Sequence, residues 1–261
     1  MLNTQANHIG YDVTGVFGFK TDENFEEIQR KAFENTKKAV DDGIPSYGWE
    51  LEIPEYYVVN GYEDDAFHYS GMKFKPYEPL KWNKLSTGEI GVLQINQIRP
   101  HTQSDDNVVV KNAFINVIKH IDNSEGWIFE KYTSGPAAFD LWIDALKTRK
   151  IYNFENREEV VHGNAYNAQV WAECRIHAVE FLIEARKRLP KHENLLKKAF
   201  EQYRISAEMM QELTNIYPFR KQNAADLIDE VKVNAAIDCL HKSRETEIKA
   251  IEILKTLIHE M

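Results

Sequence analysis

The sequence predicts an α+β protein, a β-rich part with one helix followed by a helical bundle, and three observations carry that expectation. Short segments rich in β-branched and aromatic residues, punctuated by Gly, Pro, Asn and Asp, fill the chain up to about Pro100. From Asp106 onward apolar residues recur with a period near 3.6 almost to the end. Between them His101 to Asp105 is polar, so residues 1–104 are expected to form the β-rich part and 105–261 the bundle.

Tyr11 to Phe19 alternates as a short strand. Thr21 or Asp22 is placed to cap a helix with Phe25, Ile28, Ala32 and Ala39 on one stripe, and Gly43 with Pro45 stops it. A strand leads into a hairpin within Trp49 to Gly71: Tyr57, Val58 and Val59 extend, Asn60-Gly61 and Glu63-Asp64-Asp65 bend, and Ala66 to Ser70 returns. Pro76, Pro79 and Trp82 mark an irregular connection, and Ile90 to Ile98 is a strand with Leu93 and Ile95 on one face. The bundle opens with Val110, Phe114, Val117, Ile118 and Ile121. Gly135-Pro136 starts a second helix bearing Phe139, Trp142, Ile143 and Leu146. A third, from about Asn164 to Leu189, is expected to bury Trp171, Cys174, Ala178, Phe181 and Ala185, and Pro190 breaks it. Helices over Leu195 to Leu213, Ala224 to Cys239 and Arg244 to His259 complete the bundle.

A chain of 261 residues buries about 70–75% of its unfolded surface, enough for a sizeable core. The formal charge of −9 disfavours nucleic acid, because such binders concentrate cations to displace counterions from phosphates. The N-terminus has no basic and apolar signal pattern, and no apolar run is long enough to cross a bilayer, so no membrane is expected. The two cysteines, Cys174 and Cys239, fall on apolar helix stripes as core residues, which fits a reducing cytoplasm. His177 shares a helix face with Glu173 and Glu180, the spacing of exposed charge pairing. No phosphate loop, Cys-x-x-Cys pair or His-Glu-x-x-His helix is present, so no cofactor and no metal are expected.

The run Glu55-Tyr-Tyr-Val-Val-Asn-Gly-Tyr-Glu-Asp-Asp65 with its return to Ser70 resembles the second half of papain-like peptidases of the bacteriocin-leader type. The strings GPAAFDLWIDAL at Gly135 to Leu146 and HGNAYNAQVWAECRIHAVEFL at His162 to Leu182 are similar to the C-terminal helices of the group named for butirosin biosynthesis protein H. The resemblance covers roughly Gly10 to the C-terminus and implies a partial papain-like antiparallel sheet with one helix, followed by a C-terminal helical bundle. It also puts Glu55 where the catalytic His stands and Ser70 and Gly71 where the orienting Asp stands, and no Cys precedes Trp49 to match the nucleophile. A thiol enzyme needs a thiolate, a base in reach and a group that orients the base. The resemblance therefore implies a non-catalytic or degenerate member that binds a small molecule or peptide between its halves. Two alternatives stand beside it: a thiol-dependent acyltransferase or amidase completed by an N-terminal Cys segment, and an interaction module that uses an exposed sheet edge.

Within that reading Glu55 and Tyr56 lie at the mouth of the cleft, and Phe139-Asp140 and Tyr166-Asn167 form two helix openings that could hold a polar ligand. The plainer alternatives are a surface carboxylate after Pro54 and ordinary capping and packing at the helix starts. All six residues are expected to line one concavity, and a homo-oligomer is left open.

Overall fold

A computed structural model of the protein describes residues 5–72, 77–123, 126, 128, 130, 132–148 and 157–261. Among these residues the fold is α+β, with one antiparallel six-stranded sheet and six α-helices. The chain divides into two compact units, Met1–Asp105 and Asp106–Met261.

The first unit contains strands β1 (Tyr11–Phe19), β2 (Ser46–Trp49), β3 (Tyr56–Glu63), β4 (Ala66–Ser70), β5 (Leu80–Lys81) and β6 (Val92–Pro100), with helix α1 (Phe25–Asp41) between the first two strands. Their order across the sheet is β1-β6-β2-β3-β4-β5. Alternation fixes the two faces, because residues paired across antiparallel strands point the same way. Val16, Leu93, Ile95, Tyr57, Val59 and Phe67 face inward and form the core with Ala32 and Phe33 of α1. Phe33 meets Phe67 edge to face at 5.0 Å. Gly18 belongs to this face for a steric reason: a Cβ there would lie 2.9 Å from Ile28 Cδ1, so a side chain would push α1 off the sheet.

Most strands follow the alternation and turn signals. The β3–β4 register shifts between Val59 and Gly61, and Asp64 takes the left-handed turn conformation (φ 46°) that its short polar side chain tolerates. Gly43 ends α1 at φ 71° as expected, but neither Thr21 nor Asp22 caps the helix start. Asn24 precedes the first helical residue, and the Asp22 carboxylate instead accepts from the Phe19 N–H at 2.7 Å, closing the end of β1. Pro76 lies outside the described residues; Trp82 begins a short 3-10 turn, Trp82–Lys84.

The second unit holds α2 (Asp106–Ile121), α3 (Pro136–Lys147), α4 (Arg157–Arg188), α5 (Glu193–Ile216) and α6 (Glu230–Glu260). Two apolar clusters run through it. One gathers Phe139, Ile143, Leu146, Ala168, Ala172, Met210, Leu213 and Leu240; the other gathers Val110, Phe114, Leu182, Ala185, Leu196, Ala199, Leu254 and Leu257. Along α4, α5 and α6 a polar layer separates them. Arg175 donates two hydrogen bonds to Glu247, Nε to Oε1 at 2.6 Å and Nη2 to Oε2 at 3.0 Å. Ser206 donates to Glu247 Oε1 at 2.8 Å and meets Ser243 Oγ at 2.6 Å. Phe139 and Trp171 lie against the guanidinium at 5.6 and 5.1 Å. Burial works against the Arg175 charge, and the Glu247 carboxylate outweighs it.

Three helical expectations need correction. The third bundle helix begins at Arg157, so Gly163, Tyr166 and Asn167 lie inside α4 and form no helix opening. Its buried side is Ala165, Ala168, Ala172, Leu182 and Ala185, whereas Trp171, Phe181 and Cys174 are exposed. The two stripes differ by a rotation of about one residue, and the small side chains won because they let neighbouring backbones approach while Trp171 covers Arg175. Cys174 is thus a surface thiol; Cys239 is buried as expected. Finally, the segments expected as separate helices over Ala224 to Cys239 and Arg244 to His259 become a 3-10 turn, Ala224–Leu227, and one 31-residue helix, α6. The polar stretch between them, His241-Lys242-Ser243, resembled a link because Ser243 faces the polar layer and the other two face solvent.

Candidate functional site

The outer face of the six-stranded sheet carries aromatic and apolar side chains where water would ordinarily meet polar ones. The register arranges them in rows. Phe17 of β1 lies opposite Gln94 of β6, Gln94 opposite Trp49 of β2, and Trp49 opposite Tyr56 of β3. The next row runs Gly15, Asn96, Tyr47, Val58 and Ser70. Val13 and Ile98 pair on one side of these rows, Phe19 and Val92 on the other. None of these outward residues carries a charge. Phe17 is 57% exposed, Tyr56 49% and Val58 50%.

One amide side chain ties down a ring of the row: Tyr56 Oη donates to Gln94 Oε1 at 2.9 Å, while Asn96 lies beside Tyr47 in the next row. Asn96 has room because its neighbour is Gly15: a Cβ at Gly15 would lie 2.2 Å from Asn96 Oδ1. The rings of Tyr47 and Trp49 meet Tyr56 at 5.9 and 5.0 Å, both edge-on, and Phe17 meets Phe19 edge-on at 5.1 Å. Burial and the neighbouring Tyr56 push the Tyr47 phenol above its ordinary value, with Asn96 acting in the opposite direction. The result is a fixed, uncharged floor of π surfaces with amide and phenol groups between them, the composition of a site for a small, largely apolar molecule.

The six residues singled out from sequence separate into different surroundings. Glu55 and Tyr56 belong to the first unit and the other four to the second. Tyr56 lies at one end of the aromatic row, and Glu55 is exposed in the loop just before it, its N–H bonded to the Ile53 carbonyl at 2.7 Å. Phe139 is a core residue of the bundle. Asp140 is ion-paired with Arg244 of α6 at 2.8 Å, which makes it a tie between α3 and α6. Tyr166 is exposed, stacks on His162 and meets Phe219 edge-on, with centroids 6.4 and 6.0 Å away. Asn167 is exposed mid-helix, so neither it nor Tyr166 caps anything. Within the bundle an open groove of about 670 Å³ runs between α5 and α6, beside Lys197, Lys198 and Lys249; none of the six lines it. His177 bonds Glu180 at 2.8 Å on the solvent side. Among the described residues no three His, Cys, Asp or Glu side chains converge as metal ligands, and no helix is long and apolar enough to cross a membrane.

Sequence reasoning missed Phe17, Phe19, Tyr47, Trp49, Gln94 and Asn96. Their signal was present: along β1 the positions alternating with Val16 and Gly18 are Tyr11, Val13, Phe17 and Phe19, apolar on both faces of an antiparallel strand. A scan against protein-family models finds no match, and a search of curated proteins finds no relative of this chain.

Proposed function

We propose that this protein is a non-catalytic binding protein for a planar aromatic small molecule, with a preference for a cationic one, held on the outer face of the sheet in its first unit. The observation that carries the reading is the uncharged row of Phe17, Gln94, Trp49 and Tyr56, with Phe17 and Tyr56 half exposed and Tyr56 tied to the Gln94 amide. Half-exposed aromatic rings gain most from a flat partner that excludes water from both. The cationic preference follows from charge. The chain is acidic overall, and Glu55 lies exposed immediately before Tyr56, so the potential over the face favours a positive ring system. This keeps Tyr56 and Glu55 in the site and the small-molecule class that the sequence suggested, and it moves the floor to one unit. The degenerate papain-like ancestry, with Glu55 at the His position, is compatible with binding without catalysis. Both cysteines are free thiols, and a reducing cytoplasm is the compartment we assign.

Three probes of one ring size test it: 1-methylquinolinium, 1-methylnaphthalene and 1-naphthalenesulfonate, titrated by NMR. We expect 1-methylquinolinium to bind with a Kd of roughly 0.1 mM, as for a good small fragment. Each step to the neutral and then the anionic probe should weaken binding by about two- to fivefold. Equal affinities would remove the cationic preference, and no saturable binding of any probe would remove the reading.

A second reading draws on β1, which is nine residues long, lies at the sheet edge and carries only Asp12 as a charged residue. Such an edge invites strand addition by a second copy of the chain. Sedimentation velocity over a wide concentration range decides: a rising mass supports it, and a monomer throughout rejects it.

A further inference from the structure

Glu50 follows Trp49 directly and is only 4% exposed, at a φ of 57° that residues other than Gly seldom adopt. Its N–H donates to the Glu55 carbonyl at 3.0 Å and so closes the loop whose two ends are Trp49 and Tyr56. Its carboxylate crosses to the loop before β6. Oε1 accepts from the Ile90 N–H at 3.2 Å, and Oε2 accepts from Gly91 at 2.9 Å and Val92 at 3.2 Å. Three consecutive backbone donors converging on one carboxylate form an anion nest, here occupied from within the chain.

The surroundings are shaped for this contact. Gly88 leaves space for the carboxylate, since a Cβ there would lie 2.5 Å from Glu50 Oε1. Gly91 takes φ 65°, which turns the donors inward. Lys20, directly after β1, fastens the same loop: its Nζ donates to the Gly88 carbonyl and its N–H to the Gly91 carbonyl, both at 2.8 Å. Ser86, fully buried at φ 53°, donates its hydroxyl to the Trp49 carbonyl at 3.4 Å. Two left-handed residues other than Gly thus flank Trp49, one on each side of the contact. Strain of this kind persists only where the surroundings over-determine it, and it concentrates at functional sites.

We infer that Glu50 is a positioning residue for the aromatic face: its carboxylate fills the nest formed by Ile90, Gly91 and Val92 and thereby holds Trp49 and Tyr56 in place for a ligand. The inference rests on the reading of that face as a ligand site.

The variant Glu50→Gly separates the two contributions of this residue. Gly is at ease at positive φ, so the backbone effect alone predicts a higher Tm, whereas loss of the carboxylate predicts a lower one. We expect a lower Tm, amide exchange at Ile90, Gly91 and Val92 faster by about tenfold or more, and a displaced Trp49 indole resonance. Affinity for 1-methylquinolinium should fall by roughly fivefold. Formate, which fits the vacated nest, should partly restore all four, and chloride at equal ionic strength should not. A Glu50→Gly protein with unchanged Tm and exchange overturns the inference, as does faster exchange with an unmoved Trp49 indole. Should Glu50→Gly fail to fold, Glu50→Gln keeps one acceptor, and the same changes must appear in smaller size; their absence overturns the inference equally. If the unaltered protein does not bind the probe, the ligand-site reading fails, while exchange and the indole resonance still decide what Glu50 does.

Discussion

The most extended departure from the inside-out rule differs between the two units: the first displays rows of apolar side chains on a sheet face, and the second buries a charged layer in a helical bundle. The departures differ in how they are satisfied. In the bundle every member of the polar layer has a partner within the layer, since Arg175 bonds Glu247, Glu247 accepts from Ser206, and Ser206 meets Ser243. Such a closed network fixes the register of α4, α5 and α6 and asks for nothing from outside. On the sheet, by contrast, Phe17, Tyr56 and Val58 remain half exposed after every internal contact has been made. Their burial is incomplete within the chain, and for that reason we propose this face as the surface that meets a ligand.

The contrast predicts where substitution will be costly. Replacing Glu247 by Ala strands a buried guanidinium and should destabilise the protein by about 3–5 kcal/mol in urea unfolding. The double variant Arg175→Met/Glu247→Leu should regain most of that loss, because an apolar layer of similar volume needs no counter-charge. A double variant as unstable as the single one would mean that the layer does more than satisfy its own charges. Phe67→Ala, on the inner face, should cost a comparable 3–5 kcal/mol by opening a cavity beside Phe33, about the usual cost of a buried Phe.

Smaller effects sharpen the distinction between the faces. On the inner face burial, with Glu52, Tyr57 and Tyr77 nearby, pushes the Tyr69 phenol up to about 12. The unfolded chain releases that proton near pH 10, so between about pH 10 and 12 the folded state holds more protons than the unfolded one. The contribution is intact below pH 10 and is lost as pH rises through the folded value. Tyr69→Phe should therefore flatten the alkaline fall in stability over that window, and an unaltered pH profile would contradict the burial argument. On the outer face Phe17→Ser and Tyr56→Ser should each change stability by less than about 1 kcal/mol while weakening 1-methylquinolinium binding by about tenfold. Large destabilisation by either would make the outer aromatics part of the core and erase the contrast. In the bundle, iodoacetamide should label exposed Cys174 readily and Cys239 slowly, since burial pushes the Cys239 thiol up; equal rates would contradict the helix orientation described above.

The sheet's elements were legible because turn chemistry and alternation agree locally: Gly43, Asp64 and the β3–β4 return all serve the purposes their residue types suggest. What escaped was the partner of each surface. Alternation says that Phe17 and Val16 point opposite ways, but only the order of strands, set by long-range pairing, puts Phe17, Gln94, Trp49 and Tyr56 in one row. In the bundle the reading erred over α4 because two stripes one residue apart were both apolar, and the choice between Trp171 and Ala172 depends on how closely a neighbouring helix can approach. The proposed helix opening at Gly163 failed for a related reason: glycine suggested an end, while the residues from Arg157 to His162 already form the helix. Tyr56 was singled out by its place in a resembled motif, and the aromatic row that ends on it follows from geometry.

The most direct test of the central claim is a set of intermolecular NOEs between 1-methylquinolinium and the full chain, assigned to individual side chains. The account predicts contacts from the probe's ring protons to Phe17, Tyr47, Trp49 and Tyr56, with none to the inner-face residues Phe33 and Phe67. Contacts confined to the bundle, for example at Tyr166 and Phe219 or along the groove beside Lys197 and Lys249, would contradict it.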